Sequence, residues 1–136
     1  MGGATKVLLV EDSRFLRLAS ERVLVKAGYE VWTAADGEEA LRLIHDKTPD
    51  VILLDMLLPK MSGPEVLRAV RANAATASIP VIVLTSLSQK NEQKLIREGA
   101  DAYVEKSVLD LDRGSDRLVS AIASVLNRTS QHATPP

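Results

Sequence analysis

Four short runs of consecutive apolar residues recur along the chain: Val7-Leu8-Leu9-Val10, Val51-Ile52-Leu53-Leu54, Val81-Ile82-Val83-Leu84 and the shorter Ala102-Tyr103-Val104. Such runs have no polar face, which predicts strands covered on both sides, as in a parallel sheet. Glu30-Val31-Trp32-Thr33-Ala34 alternates instead and suits an edge strand. Between the runs the pattern turns helical. Leu16, Ala19, Val23 and Ala27 fall on one face of a helix that ends at Gly28. Asp36-Gly37-Glu38-Glu39 is an acidic cap opening a helix through Ala40, Leu41 and Ile44, which stops before Pro49. Ser62-Gly63-Pro64-Glu65 is a capping box with Pro in the first turn, followed by Val66, Leu67 and Val70. Two further helices are predicted over about 89–98 and 111–127, the second carrying Leu118, Val119, Ile122, Val125 and Leu126.

The order is strand–helix repeated five times, which predicts an α/β, doubly wound, five-stranded parallel sheet with helices on both faces and right-handed crossovers. A length of 136 residues is that of one domain. Residues 1–5 are expected to be a disordered extension, 6–127 the domain, and the polar stretch 128–136, ending in Pro135-Pro136, a linker or frayed tail. The chain has no cysteine, which excludes disulfides, Cys-based zinc or iron–sulfur sites and a Cys nucleophile. His45 and His132 are too far apart for a His-rich metal site. The net charge is −1 and neither half is strongly basic, so direct nucleic-acid binding is not expected. No apolar run approaches the ~18 residues of a membrane span, and Met1–Thr5 carries no apolar signal region. The expected location is cytoplasmic.

In open α/β sheets, ligands bind beyond the carboxyl ends of the strands. Glu11 and Asp12 follow the first run, Asp55 the central one, Thr85 the next, and Glu105 and Lys106 the last. Carboxylates gathered at one edge repel one another, and a divalent cation resolves the conflict. Hard oxygen ligands without histidine favour Mg2+, which also takes phosphate oxygens. Lys106 would then serve as a point charge for an anion and Thr85 as a hydroxyl donor. A site of this kind suits a phosphoryl group attached to Asp55, since a carboxylate can act as a covalent nucleophile.

The stretches VLLVEDS (7–13), DVILLDMLLPKMSG (50–63), PVIVLTS (80–86) and GADAYVEKS (99–107) together closely resemble the receiver domain of bacterial response regulators, from about Lys6 to Asn127. The resemblance implies a flavodoxin-like strand order 2-1-3-4-5, the order for which a member of this family is a standard example. It makes Asp55 the phosphoacceptor, Asp12 a direct Mg2+ ligand, Glu11 an acidic partner acting through water, and the carbonyl of Leu57 a further ligand. Thr85 and Lys106 would bind the phosphoryl oxygens, and Thr85 and Tyr103 would form the switch. The implied partner is a histidine kinase or phosphotransfer protein. An output domain or partner would bind the face formed by the helix over 89–98, the fifth strand and the helix over 111–127. The chain would catalyse only its own phosphorylation and dephosphorylation, and would not otherwise be an enzyme.

Two positions depart from the family's usual pattern. Glu11 stands where the family usually has Asp, keeping the charge and adding one methylene. Ser107 follows Lys106 where the family usually has Pro after a cis bond. A cis bond costs about 2.5–4 kcal/mol before a non-proline residue and about 0.5–1 kcal/mol before Pro. The Lys106–Ser107 bond is therefore either trans in a differently shaped loop or held cis by local contacts. Phe15, Leu18 and Arg22 lie on the face of the first helix opposite Leu16, Ala19 and Val23, beside the acidic pair. With Arg14 and Ser107 they are the candidate kinase-docking residues. An aspartyl phosphatase would need an acid at position 57, where Leu stands, and a flavin carrier would need an uncharged anion loop after the first strand. A non-phosphorylated interaction scaffold is the remaining alternative.

Overall fold

The computed structural model describes residues 4–85, 96–97, 99–105 and 114–133. The elements run β1 (Lys6–Val10), α1 (Arg14–Lys26), β2 (Glu30–Ala34), α2 (Gly37–Lys47), β3 (Val51–Asp55), α3 (Gly63–Ala72), β4 (Val81–Thr85), β5 (Ala102–Glu105) and α4 (Gly114–Ala133). The strands form one sheet in the order β2-β1-β3-β4-β5, every pair parallel. This is the expected doubly wound α/β architecture. The uninterrupted apolar runs occupy the three central strands, where both faces are covered, and the alternating run is the half-buried edge strand β2.

Successive side chains of a strand point to opposite faces, so each central strand serves two cores. Leu8, Val10, Ile52, Leu54, Val81 and Val83 pack with Ala40 and Ile44 of α2 and Val66, Leu67 and Val70 of α3. On the other face Val7, Leu9, Val51, Leu53, Ile82 and Leu84 pack with Leu24 of α1 and Leu118, Ile122 and Val125 of α4.

Three helices start on side-chain caps. Ser13 Oγ accepts from Leu16 N, Asp36 Oδ1 from Glu39 N at 2.9 Å, and Ser62 Oγ from Glu65 N. Each satisfies one of the backbone donors that a helix start leaves without a partner. Glu39 reaches back to Ala35 N, and Glu65 accepts from the Ser62 hydroxyl.

Two expectations need correction. The residue of α1 that is fully buried is Leu24, outside the expected Leu16–Ala19–Val23–Ala27 stripe; Leu16, Ala19 and Val23 are half-buried and Ala27 is exposed. The face that α1 presents is set by where it meets β2 and α4 rather than by its own periodicity. The last helix does not end at Asn127 but runs to Ala133. No Pro or Gly interrupts it until Pro135, which restricts the residue before it. Of the expected helix over 89–98, Ile96 and Arg97 fall among the described residues and are helical. Among the described residues, no helix is long and apolar enough to cross a membrane.

Candidate phosphoacceptor and metal site

Because all five strands are parallel, their carboxyl ends share one edge of the sheet. Val10 pairs with Leu54, Asp55 with Leu84, and Thr85 with Glu105. Glu11, one residue past β1, therefore sits beside Asp55 at the end of β3, and Thr85 ends the next strand. Glu11, Asp55 and Thr85 are each 2% exposed, whereas Asp12 is exposed. One carboxylate oxygen each from Glu11, Asp12 and Asp55 lies within 4.8 Å of the others. Three hard oxygen donors at that spacing fit a small divalent cation such as Mg2+, with water completing its shell.

Backbone groups orient this cluster. Glu11 Oε2 accepts from Ser13 N at 3.0 Å, which points the carboxylate at the start of α1, the positive end of the helix dipole. Asp55 Oδ1 accepts from Leu57 N at 3.1 Å. Met56 N donates to Leu84 O, holding the beginning of the β3–α3 loop against β4. Arg17 turns back from α1 and donates to Glu11 O at 2.9 Å and to Asp12 O at 3.4 Å. Its role is not legible from sequence, because it recognises two carbonyls that any residues could supply. The Ser13 cap was available in principle, as a Ser immediately before the helix.

Along α1, Arg14 and Arg22 are exposed, and Phe15 and Leu18 are exposed large hydrophobic residues. Leu57, whose carbonyl is the expected further ligand, is also exposed. Tyr103 is half-buried; it pairs with Val83 and packs against the α2–α3 core. Lys106 and Ser107, with the bond between them, lie outside the described residues.

The β3–α3 loop meets the start of α2 through an ion pair. Lys60 Nζ lies 3.6 Å from Asp36 Oδ2, and the backbone N–H of Glu39, opposed by burial and helped by Lys60, holds the Asp36 carboxyl below its ordinary value. At the opposite end of the sheet, Arg71 of α3 makes five hydrogen bonds: two to Gly99 O and one each to Ala77 O, Ile79 O and Asp101 Oδ2.

The family model for the response regulator receiver domain matches residues 7–122. A probable transcriptional regulator, ycf27, of Guillardia theta is 39% identical over 94% of this chain and 48% of its own length. The transcriptional regulatory protein AfsQ1 of Streptomyces coelicolor is 37% identical over 94% of this chain and 54% of its own. This chain thus spans about half the length of both regulators. Among solved structures, the chemotaxis response regulator CheY4 of Vibrio cholerae superposes with a TM-score of 0.80 at 34% identity, covering 90% of this chain and 98% of that one. The receiver domain of a LuxO repressor protein from Vibrio parahaemolyticus gives 0.82 at 31% identity, covering 95% of each. With a family match across most of the chain and receiver-domain structures that superpose over nine-tenths or more of it, this chain belongs to the receiver domain family of two-component response regulators.

Proposed function

We propose that Asp55 accepts a phosphoryl group from a phosphohistidine on a histidine kinase or phosphotransfer protein, in a Mg2+-dependent reaction. The observation that carries this reading is the convergence of Glu11, Asp12 and Asp55 oxygens within 4.8 Å at the carboxyl edge of the sheet. In the transfer, the P–N bond to the donor imidazole breaks as a P–O bond to the Asp55 carboxylate forms, and the imidazole takes up a proton. The Leu57 N–H fixes one carboxylate oxygen in advance, so the acceptor is oriented before the donor arrives.

Glu11, Asp12, Asp55 and the Leu57 carbonyl would hold Mg2+, which supplies charge neutralisation for the transferred group. Thr85 and Lys106 bind phosphoryl oxygens. Arg14, Phe15, Leu18, Arg22 and Ser107 form the docking surface for the donor; the exposure of Phe15 and Leu18 supports this, since large apolar side chains are left uncovered beside the acidic site. Phosphorylation shifts a two-state equilibrium read through Thr85 and Tyr103. An output domain or partner recognises the face that includes β5 and α4, as the transcriptional regulators among the relatives suggest.

Incubation with a small phosphodonor, with and without Mg2+, followed by intact-mass measurement tests the reading. A single phosphoryl adduct that forms only with Mg2+ is expected. No adduct under any metal condition would return the chain to the interaction-scaffold alternative.

A further inference from the structure

The β3–α3 loop leaves the sheet at Asp55 and re-enters regular structure at Gly63. Its far end is pinned to its own beginning. Gly63 N donates to Met56 O at 3.1 Å, and a Cβ on Gly63 would come within 2.6 Å of both Asp55 O and Met56 Cα. Its middle rests on a different element, the first turn of α2. Gly37 is buried there, and a Cβ on it would collide with Met61 O, lie 2.6 Å from Met61 Cβ and lie 3.0 Å from Val66 Cγ2. Nothing separates the α2 backbone from the loop backbone at that point.

A second contact joins the same two segments. Lys60 adopts φ 67°, a left-handed conformation that residues other than Gly rarely adopt, and its ammonium lies 3.6 Å from Asp36 Oδ2. Asp36 Oδ1 meanwhile caps α2 through Glu39 N. A single carboxylate thus holds the start of the helix and the loop together. Between the two pinned ends lies Leu57, whose carbonyl is the proposed metal ligand and whose N–H holds Asp55.

We infer that the first turn of α2, through the bare backbone of Gly37 and the Asp36–Lys60 pair, is a positioning element that sets where the Leu57 carbonyl stands relative to Asp55. The inference rests on the metal site proposed above. Mg2+ demands near-ideal octahedral geometry at short bond lengths, so a loop displaced by a fraction of an ångström presents a poorer ligand. Gly37 and Lys60 touch neither metal nor phosphoryl group. They act through the loop, as outer partners that orient the groups bound to a metal.

The test is Mg2+ titration of the full chain, followed by NMR shifts of the Asp55 and Leu57 amides, with thermal unfolding measured in parallel. Gly37→Ala improves the intrinsic helix preference at its position, so a loss of metal affinity cannot be traced to a weaker helix. It is expected to weaken Mg2+ binding by roughly tenfold, the range found when the outer partners of metal ligands are removed. Lys60→Gly relieves the left-handed strain while deleting the ion pair, and is expected to weaken binding by roughly tenfold without a lower melting temperature. If Gly37→Ala fails to fold, Lys60→Gly carries the test alone. Unchanged affinity in a folded Gly37→Ala, or in Lys60→Gly when that variant stands alone, overturns the inference. Asp12→Ala separates the two layers: if it binds Mg2+ like the wild type, the metal site itself is wrong and the inference falls with it. If Asp12→Ala abolishes binding and Gly37→Ala does not weaken it, only the positioning role is wrong.

Discussion

The backbone N–H of Leu57 donates to Oδ1 of Asp55 at 3.1 Å, across the first turn of the loop that follows β3. This bond orients a carboxylate that is 2% exposed. Asp55→Asn keeps an oxygen acceptor for the Leu57 N–H but removes the carboxylate proposed as the nucleophile. The variant is expected to keep its fold by circular dichroism and to form no phosphoryl adduct with a small phosphodonor. A full adduct in the intact mass of Asp55→Asn would move the acceptor to another residue.

Asp12 and Glu11 differ in burial, and the difference separates their expected behaviour. Asp12 is exposed, whereas Glu11 is buried and tied to Ser13 N. Asp12→Ala removes a proposed ligand and relieves carboxylate repulsion, so it should lose most Mg2+ affinity without destabilising the chain. Glu11→Asp should retain binding, because the charge stays and the shorter carboxylate matches the usual family residue. Calorimetric titration of both variants decides the point, and a wild-type affinity in Asp12→Ala would overturn the metal site.

Thr85 ends β4 opposite Glu105, and Tyr103 lies two residues earlier on β5 opposite Val83. Thr85→Ala should still be phosphorylated but transmit the conformational change poorly, while Tyr103→Ala should leave the chemistry intact and alter partner binding. Side-chain NMR of Tyr103 with and without a beryllofluoride mimic reads the coupling. An identical Tyr103 environment in both states would leave it as strand-edge packing.

Arg71 joins the end of α3 to the segments that lead into β4 and β5, and its partner Asp101 also accepts from Val81 N at 2.8 Å. Arg71→Ala leaves several half-buried carbonyls without their donor, and is expected to cost about 2–4 kcal/mol. Arg71→Lys should recover little of this, because one ammonium cannot span the four residues that the guanidinium reaches. Urea unfolding should show a lowered midpoint with an unchanged slope. Wild-type stability in Arg71→Ala would show the network to be dispensable.

The Asp36 carboxyl titrates below its ordinary value of 3.8, chiefly because it accepts from Glu39 N. A carboxyl with a depressed folded-state value contributes stability that is present above its unfolded value and lost as pH falls through the folded one. Asp36→Asn preserves the capping oxygen and cannot titrate there. Its loss of stability between about pH 5 and pH 2 should therefore be smaller than that of the wild type. Parallel losses over that range, measured by urea unfolding, would mean that other carboxylates carry the acid sensitivity.

The strands, their parallel pairing and two of the helix caps were legible in the chain because each rests on local pattern. The apolar runs of β1, β3 and β4 suit only a sheet covered on both faces, and Asp36 and Ser62 announce α2 and α3 with acids three residues on. Legible too was the meeting of Glu11, Asp12 and Asp55, since parallel strands bring their ends to one edge. Tertiary structure alone decided the clearance at Gly37, the hold of Arg17 on Glu11 O and Asp12 O, the hub at Arg71 and the burial of Leu24. These depend on backbone atoms far apart in the chain. Carbonyls and Cα positions are alike for nearly every residue type, so no pattern of side chains marks where they will meet. Their partners become definite only when the sheet, by closing two cores at once, fixes the distance between α2 and the β3–α3 loop.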